Sequence, residues 1–382
     1  MIEGTLSSEF GDLVAYEFFK NMGLSALGIF IPIILFDASG SLLVPGFYLL
    51  IKSLVTTVFA VPLMNFLGGK GFEKGLYLSY FFIIPPILIL QFFEYSHVMM
   101  VSVAALYSIG KTLHAEAKRL EFTEGTEESD RDRKSADITS IPNMGRFLGP
   151  LIAGSLSALY GFGALLTFVV SMILLSLIPL SKMEKTIKKI KITKKNLIRK
   201  EYLPYIPVLT ARGVQAIAAV AIYALFTYKF TSGSFGSGLV RSLDTIGFVL
   251  VAYFSAWITG KLSRKTVIGI GATASAITYI ARALVQNSFQ GFIVAFAGGI
   301  AFKLYHIPLF SQLANEAEST SETEFFALSR ICTGLGMTIA TTLFILTIQI
   351  GQKTAFQAVF ILAAIATMTL PLMEPKINNE DI

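Results

Sequence analysis

Charge is what this chain of 382 residues has least of: 15% of it is Asp, Glu, Lys or Arg, against 54% apolar residues. A water-soluble domain carries about 25% charge, so a soluble fold is excluded. Cysteine is nearly absent. With Cys332 alone no internal disulfide can form, and three histidines without a cysteine cluster give no zinc pattern. No Gly-x-x-x-x-Gly-Lys phosphate loop is present, which argues against ATP-driven pumping within the chain. No Ser/His/Asp or Cys/His constellation appears either, so an enzyme is not expected and no cofactor or metal is implied. The amino terminus has no basic n-region; Glu3, Glu9 and Asp12 precede the first apolar run, which is expected to be retained rather than cleaved.

Long apolar sequence is abundant. Runs long enough to cross a bilayer fall near 14–36, 42–67, 75–93, 97–117, 138–159 and 162–180, then near 204–228, 238–259, 266–285, 290–312, 325–350 and 354–373. Helices are expected throughout, because lipid cannot satisfy the backbone of an open strand and the runs are too continuous for barrel strands. The fold class is therefore an all-α integral membrane protein of twelve spans. The loops orient it. With both termini cytoplasmic, Lys229 and Lys353 are the only basic residues expected in outer loops, and the others gather inside. This accounts for the net charge of +6 without nucleic acid. The run from Lys182 to Lys200 reads as a basic cytoplasmic linker, solvated or lying on anionic lipid. The expected division is a six-helix bundle over 1–180, the linker over 181–203 and a second bundle over 204–382, acting as a monomer in the cell membrane.

The halves repeat. A shift of 192 residues lays Lys20 on Arg212, Lys52 on Asp244, Lys111 on Lys303, His114 on His306 and Gly68 on Gly260. The repeated Lys-x-x-His in spans 4 and 10 is the most telling match. Equal helix order and a central basic linker predict two bundles related by an axis along the membrane normal. Span 5 contains Gly145-Arg146-Phe147-Leu148-Gly149-Pro150-Leu151-Ile152-Ala153-Gly154. Small residues at that spacing let helices approach closely, and Pro150 loosens the ladder for a bend.

The whole chain resembles the major facilitator superfamily. The span-5 stretch is similar to its Gly-x-x-x-Gly-Pro-x-x-Gly-Gly motif, with Ala153 in place of one glycine. Leu63, Asn65, Gly68 and Lys70 can be laid on its motif after span 2, where Asn65 and Phe66 replace the usual acid and arginine; Gly260 to Lys265 looks like a shortened copy after span 8. The resemblance implies two six-helix bundles and alternating access, with spans 1, 4, 7 and 10 lining a central cavity.

Function has to come from charges in the spans, each of which costs at least about 2.5 to 3.5 kcal/mol at mid-bilayer unless it meets a polar cavity or a partner. The basic set is Lys20, Lys52, Lys111, Arg146, Arg212, Arg241, Arg282, Lys303 and Arg330, set against Glu17 and Asp244. A net positive cavity follows. Lys20 and Arg212 are expected to clamp an anionic solute between the halves, Arg212 by a two-bonded fork and Lys20 as a point charge. Lys111 and Lys303 form a second tier, with Lys52, Asn21 and Gln215 as further binding candidates. The Lys20/Arg212 placement is similar to that of the organophosphate antiporters. Arg241 and Asp244 are expected to neutralise each other, and Arg282 to snorkel to water. Arg330 is assigned to an inner gate, Arg146 to gate or cavity, and Gly145, Gly149, Pro150, Gly154 and Asn65 to gating or structure. Glu17, His114, His306 and Asp244 are the proton-coupling candidates. Protons and counter-anions remain alternative coupling partners. The expected function is secondary transport of a small organic or phosphorylated anion; an exporter of amphiphiles or lipid, and a scaffold or sensor that has lost transport, are the alternatives.

Overall fold

A computed structural model describes residues 8–67, 72–92, 94–124, 131–182, 197, 199–259, 262–319 and 322–372. Both terminal segments, most of the basic linker, Gly68 and Lys70 after span 2, and Gly260 and Lys261 after span 8 lie outside the described residues.

Every regular element among the described residues is helical: α1 (Ser8–Ser39), α2 (Leu43–Leu67), α3 (Phe72–Phe92), α4 (His97–Glu124), α5 (Arg131–Tyr160), α6 (Phe162–Leu175) and a short α7 (Leu177–Leu180). After a 3-10 turn at Lys200–Tyr205 come α8 (Ile206–Ile217), a π-helical turn (Ala218–Ile222), α9 (Tyr223–Thr227) and a second π turn (Tyr228–Ser232). Then follow α10 (Gly233–Thr259), α11 (Arg264–Leu284), α12 (Ser288–Ser319), α13 (Glu322–Ile348) and α14 (Gln352–Met368). An apolar chain in lipid closes its hydrogen bonds within each segment, which is why strand propensity in its Val, Ile and Phe residues has no outlet. Punctuation is local: Gly40, after α1, and Gly233, after the second π turn, take positive φ, and the Ser263 hydroxyl caps α11 by accepting from the Thr266 amide.

Nine helical stretches among the described residues are long and apolar enough to cross a membrane. The difference from twelve has physical causes. The two runs expected at 204–228 and 238–259 fall within one unbroken run of helical residues, Glu201–Val251, and so count once, although Gly233 at positive φ interrupts the helix between them. Helix α5 opens on Arg131, Asp132, Arg133 and Lys134, and Gln352–Met368 is short at 17 residues.

Helix pairing recurs along the chain. Contacts of α1 with α5 and α6, of α3 with α4 and α6, and of α2 with α4 reappear as α8 with α13 and α14, α11 with α12 and α14, and α10 with α12. The two most extensive crossings between the sets are α5 on α10 and α2 on α13. Glycine makes both kinds of contact possible. Gly145 and Gly149 of α5 rest on the backbone of Phe18 and Met22 in α1, while Gly213 of α8 and Gly336 of α13 do the same for each other's helices. At the α5–α10 crossing, Gly154 and Gly238 face each other beside the carbonyl of Pro150. The span-5 motif is thus a two-sided packing surface, where any Cβ would meet backbone.

Candidate functional site

A cavity of about 390 Å³ lies within this frame, a size suited to a small molecule. Its polar wall is built by Asn143 and Arg146 of α5, Arg212 and Gln215 of α8, Arg241 and Asp244 of α10, Arg282 of α11, His306 of α12 and Arg330 of α13. Val220, Phe302 and Met337 supply an apolar side. Among the described residues, five guanidiniums therefore face one carboxylate, and helices α1 and α4, expected to line the centre, contribute no side chain to this cavity.

The arginines differ in how their charge is met. Arg241 donates from Nη1 to Asp244 Oδ2 at 2.6 Å, the intrahelical pair expected from their spacing. Arg282 donates from Nη2 to the other oxygen, Oδ1, at 3.2 Å. That corrects the expectation that Arg282 reaches water: it is 2% exposed, and its Cζ lies 4.5 and 5.1 Å from the ring centroids of Tyr223 and Tyr279. The Asp244 charge holds it inward, and Gly298, whose missing Cβ would fall 2.6 Å from Arg282 Nη2, leaves it room. Arg330 binds Glu116 of α4 at 2.6 Å, an ion pair that bridges the two sets of helices.

Among the described residues, Arg146 and Arg212 have neutral hydrogen-bond partners only. Arg146 donates from Nε to Asn21 Oδ1 at 3.1 Å and from Nη1 to Asn143 Oδ1 at 3.4 Å. Arg212 Nη2 lies 3.4 Å from His306 Nε2; since a guanidinium only donates, that imidazole nitrogen accepts and carries no proton in this arrangement. Among the described residues neither arginine has a carboxylate within salt-bridge distance. Gln215 is already engaged, giving its amide to Thr367 Oγ1 and receiving from Tyr305, each at 2.8 Å.

A second polar cluster sits behind the cavity. Tyr16 and His114 Nδ1 are hydrogen bonded at 2.9 Å, His114 Nε2 is 3.8 Å from Glu17 Oε1, and Asn21 donates to Glu17 Oε2 at 2.8 Å. Asn21 thereby joins Glu17 to Arg146. Lys20, one residue before Asn21, points elsewhere: it is fully buried with Nζ 3.1 Å from the centroid of Tyr80 on α3, and it does not line the cavity beside Arg212. Lys52 and Lys111 flank Tyr107, each ammonium 5.9 Å from the ring centroid, and Lys111 feels the charges of Lys52, Arg330, Arg241 and Arg146. Lys303 is buried within reach of the Arg146 charge. Asn65 is half-buried at the end of α2.

Two residues escaped the sequence reading. Glu116, two positions after His114 at the edge of the run 97–117, is absent from the set of span charges named above, yet it is fully buried against Arg330. Asn143 draws no notice as a neutral residue, although its position one turn before Arg146 is the signal.

No protein-family model and no curated protein matches the sequence. Solved structures do. A POT family transporter in complex with 5-aminolevulinic acid aligns with a TM-score of 0.79 at 13% identity over 97% of this chain and 96% of its own. Another, bound to a thioalcohol-conjugated peptide, gives 0.77 at 13% identity over 95% and 94%. A mutant of the peptide transporter POT with alafosfalin bound gives 0.75 at 12% identity over 95% and 92%. At this identity the likeness concerns the fold alone, and the fold of this chain is similar to that of these POT family transporters.

Proposed function

We propose that this protein is a secondary transporter that moves a small anionic solute by alternating access, built as two six-helix bundles of twelve spans in the cell membrane with both ends cytoplasmic. The observation that carries the reading is the charge of the cavity wall: five arginines against Asp244, with Arg146 and Arg212 lacking any carboxylate among the described residues. A carboxylate or phosphate between them would receive forked bonds from each side. Because Arg146 belongs to one half and Arg212 to the other, the solute would draw the halves together, and occupancy would favour the closed arrangement. The ligands named in the solved relatives, 5-aminolevulinic acid and a peptide, suit a carboxylate-reading site.

Lys20 takes a supporting role in this reading, balancing the charge of Glu17 from within the first bundle. Coupling is assigned to Glu17 and His114, because Asn21 connects that pair to Arg146 and so lets solute binding change the field at the carboxylate. Exchange of one anion for another is the rival mode. The apolar wall of Val220, Phe302 and Met337 favours a second reading, export of amphiphiles. Uptake into liposomes separates the three. Anion accumulation driven by an imposed pH gradient, and lost in Arg146→Gln and in Arg212→Gln, is expected. Gradient-independent anion uptake would favour exchange, and transport of lipophilic cations instead would favour the exporter.

A further inference from the structure

The wall that offers Arg146 and Arg212 to an anion also carries an acceptor, the imidazole of His306. Two phenyl rings, one turn before it and one turn after it on α12, fix its orientation: Phe302 at 4.8 Å between centroids and tilted by 31°, and Phe310 at 6.1 Å and nearly parallel at 8°. Both pack against the imidazole and leave its edge for polar contact. That edge brings Nε2 to 3.4 Å from Arg212 Nη2, and both side chains are half-buried and line the cavity. Nε2 therefore presents a lone pair beside the guanidinium, where a proton on it would set donor against donor. Such a proton would also add a positive charge next to Arg212, Lys303 and Arg146, whose charges all reach this ring.

A bare carboxylate held by Arg212 meets a difficulty there. Its oxygens share the Arg212 donors with Nε2, and neighbouring lone pairs repel unless a hydrogen lies between them. The geometry points to a solute that supplies this hydrogen, a 2-hydroxy carboxylate, whose acid oxygens accept from the Arg212 fork while the hydroxyl on the adjoining carbon donates to His306 Nε2. It rests on the anion-transport reading and narrows the substrate class of that same site. A phosphate monoester fits less well, since its second ionisation at about pH 6 leaves it mostly without an O–H at neutral pH. A 2-oxo acid fits least, because it brings a further acceptor.

The test uses the purified full chain in detergent at neutral pH and three probes titrated by calorimetry or thermal shift: 2-hydroxyhexanoate, 2-oxohexanoate and hexanoate. Their equal length keeps contact with the apolar side, Val220, Phe302 and Met337, common to all. The hydroxy acid is expected to bind about tenfold more tightly than hexanoate, the order of one hydrogen bond, and the oxo acid no better than hexanoate. His306→Phe keeps an aromatic ring but no acceptor, and should bring the preference to within about twofold. His306→Gln keeps an acceptor and should retain most of it. Equal binding of the three probes by the wild type, or tighter binding of the oxo acid than of the hydroxy acid, would overturn the hydroxyl contact while leaving the anion reading standing, and neither result depends on a variant folding. A preference that survives His306→Phe, or one lost in both variants while hexanoate still binds, would do the same. Absence of binding by all three to the wild type would overturn both.

Discussion

The polar cluster behind α1 and the arginine cavity solve the problem of charge in a membrane protein in opposite ways. Around Glu17 the groups form a network within the protein: Tyr16, His114, Asn21 and Glu17 are linked, while Lys20 lies over the face of Tyr80, its Nζ without an acceptor among the described residues. In the cavity Arg241, Arg282 and Arg330 share two carboxylates, while Arg146 and Arg212 meet neutral partners. The first arrangement suits a group that must hold a charge or a proton within the protein; the second suits a site whose charge is completed by something that comes and goes. Asn21 is the junction, donating to Glu17 and accepting from Arg146.

That contrast can be broken most sharply at Arg212. A charge-assisted hydrogen bond contributes about 1.5 to 3 kcal/mol, so Arg212→Ala should weaken anion binding roughly ten- to a hundredfold, at about 1.4 kcal/mol per factor of ten. Arg212→Lys should recover little of this, because the fork is lost with the charge kept. Calorimetric titration with an organic anion checks both.

Glu17→Gln tests the other region. Equilibrium anion binding should change less than about threefold, an order-of-magnitude expectation for loss of a charge acting through one intermediary, while liposome uptake should lose its response to a pH gradient. A variant that keeps the response assigns coupling elsewhere, His306 being the next group in contact with the cavity.

The ion pair between Glu116 and Arg330 connects the two sets of helices, and Cys332 lies two residues beyond Arg330, buried and the sole cysteine of the chain. Glu116→Gln should raise the labelling rate of Cys332 by a thiol reagent several-fold, since a neutral amide holds a guanidinium about half as strongly as a carboxylate does. An unchanged rate would show that the pair does not restrain opening. The smallest effect is expected for Lys20→Met. Replacing a buried cation by an apolar side chain of similar size is often neutral for stability, and anion affinity should stay within about twofold, because Lys20 lies outside the cavity wall.

The helices were legible because lipid leaves an apolar chain no other way to satisfy its backbone, and the small-residue motif of α5 because close helix approach admits only glycine at Gly145, Gly149 and Gly154. The pairing of Arg241 with Asp244 followed from spacing on one helix. Side-chain direction was less accessible. Lys20 and Asn21 differ by one residue, about 100° around the helix, and that rotation sends one to Tyr80 and the other to Arg146. Arg282 was misread because its distance from the helix end predicts snorkelling, while the partner that holds it inward, Asp244, lies on another helix. Tertiary partners of this kind leave no trace in the spacing of a single segment.

What the cavity binds is read most directly by a thermal-shift panel on the purified protein. Phosphorylated metabolites and carboxylates should raise its melting temperature, with the rise lost in both Arg146→Gln and Arg212→Gln and retained in Lys20→Met. Stabilisation by lipophilic cations alone, or by anions equally in all three variants, would contradict the assignment of Arg146 and Arg212 as the anion site.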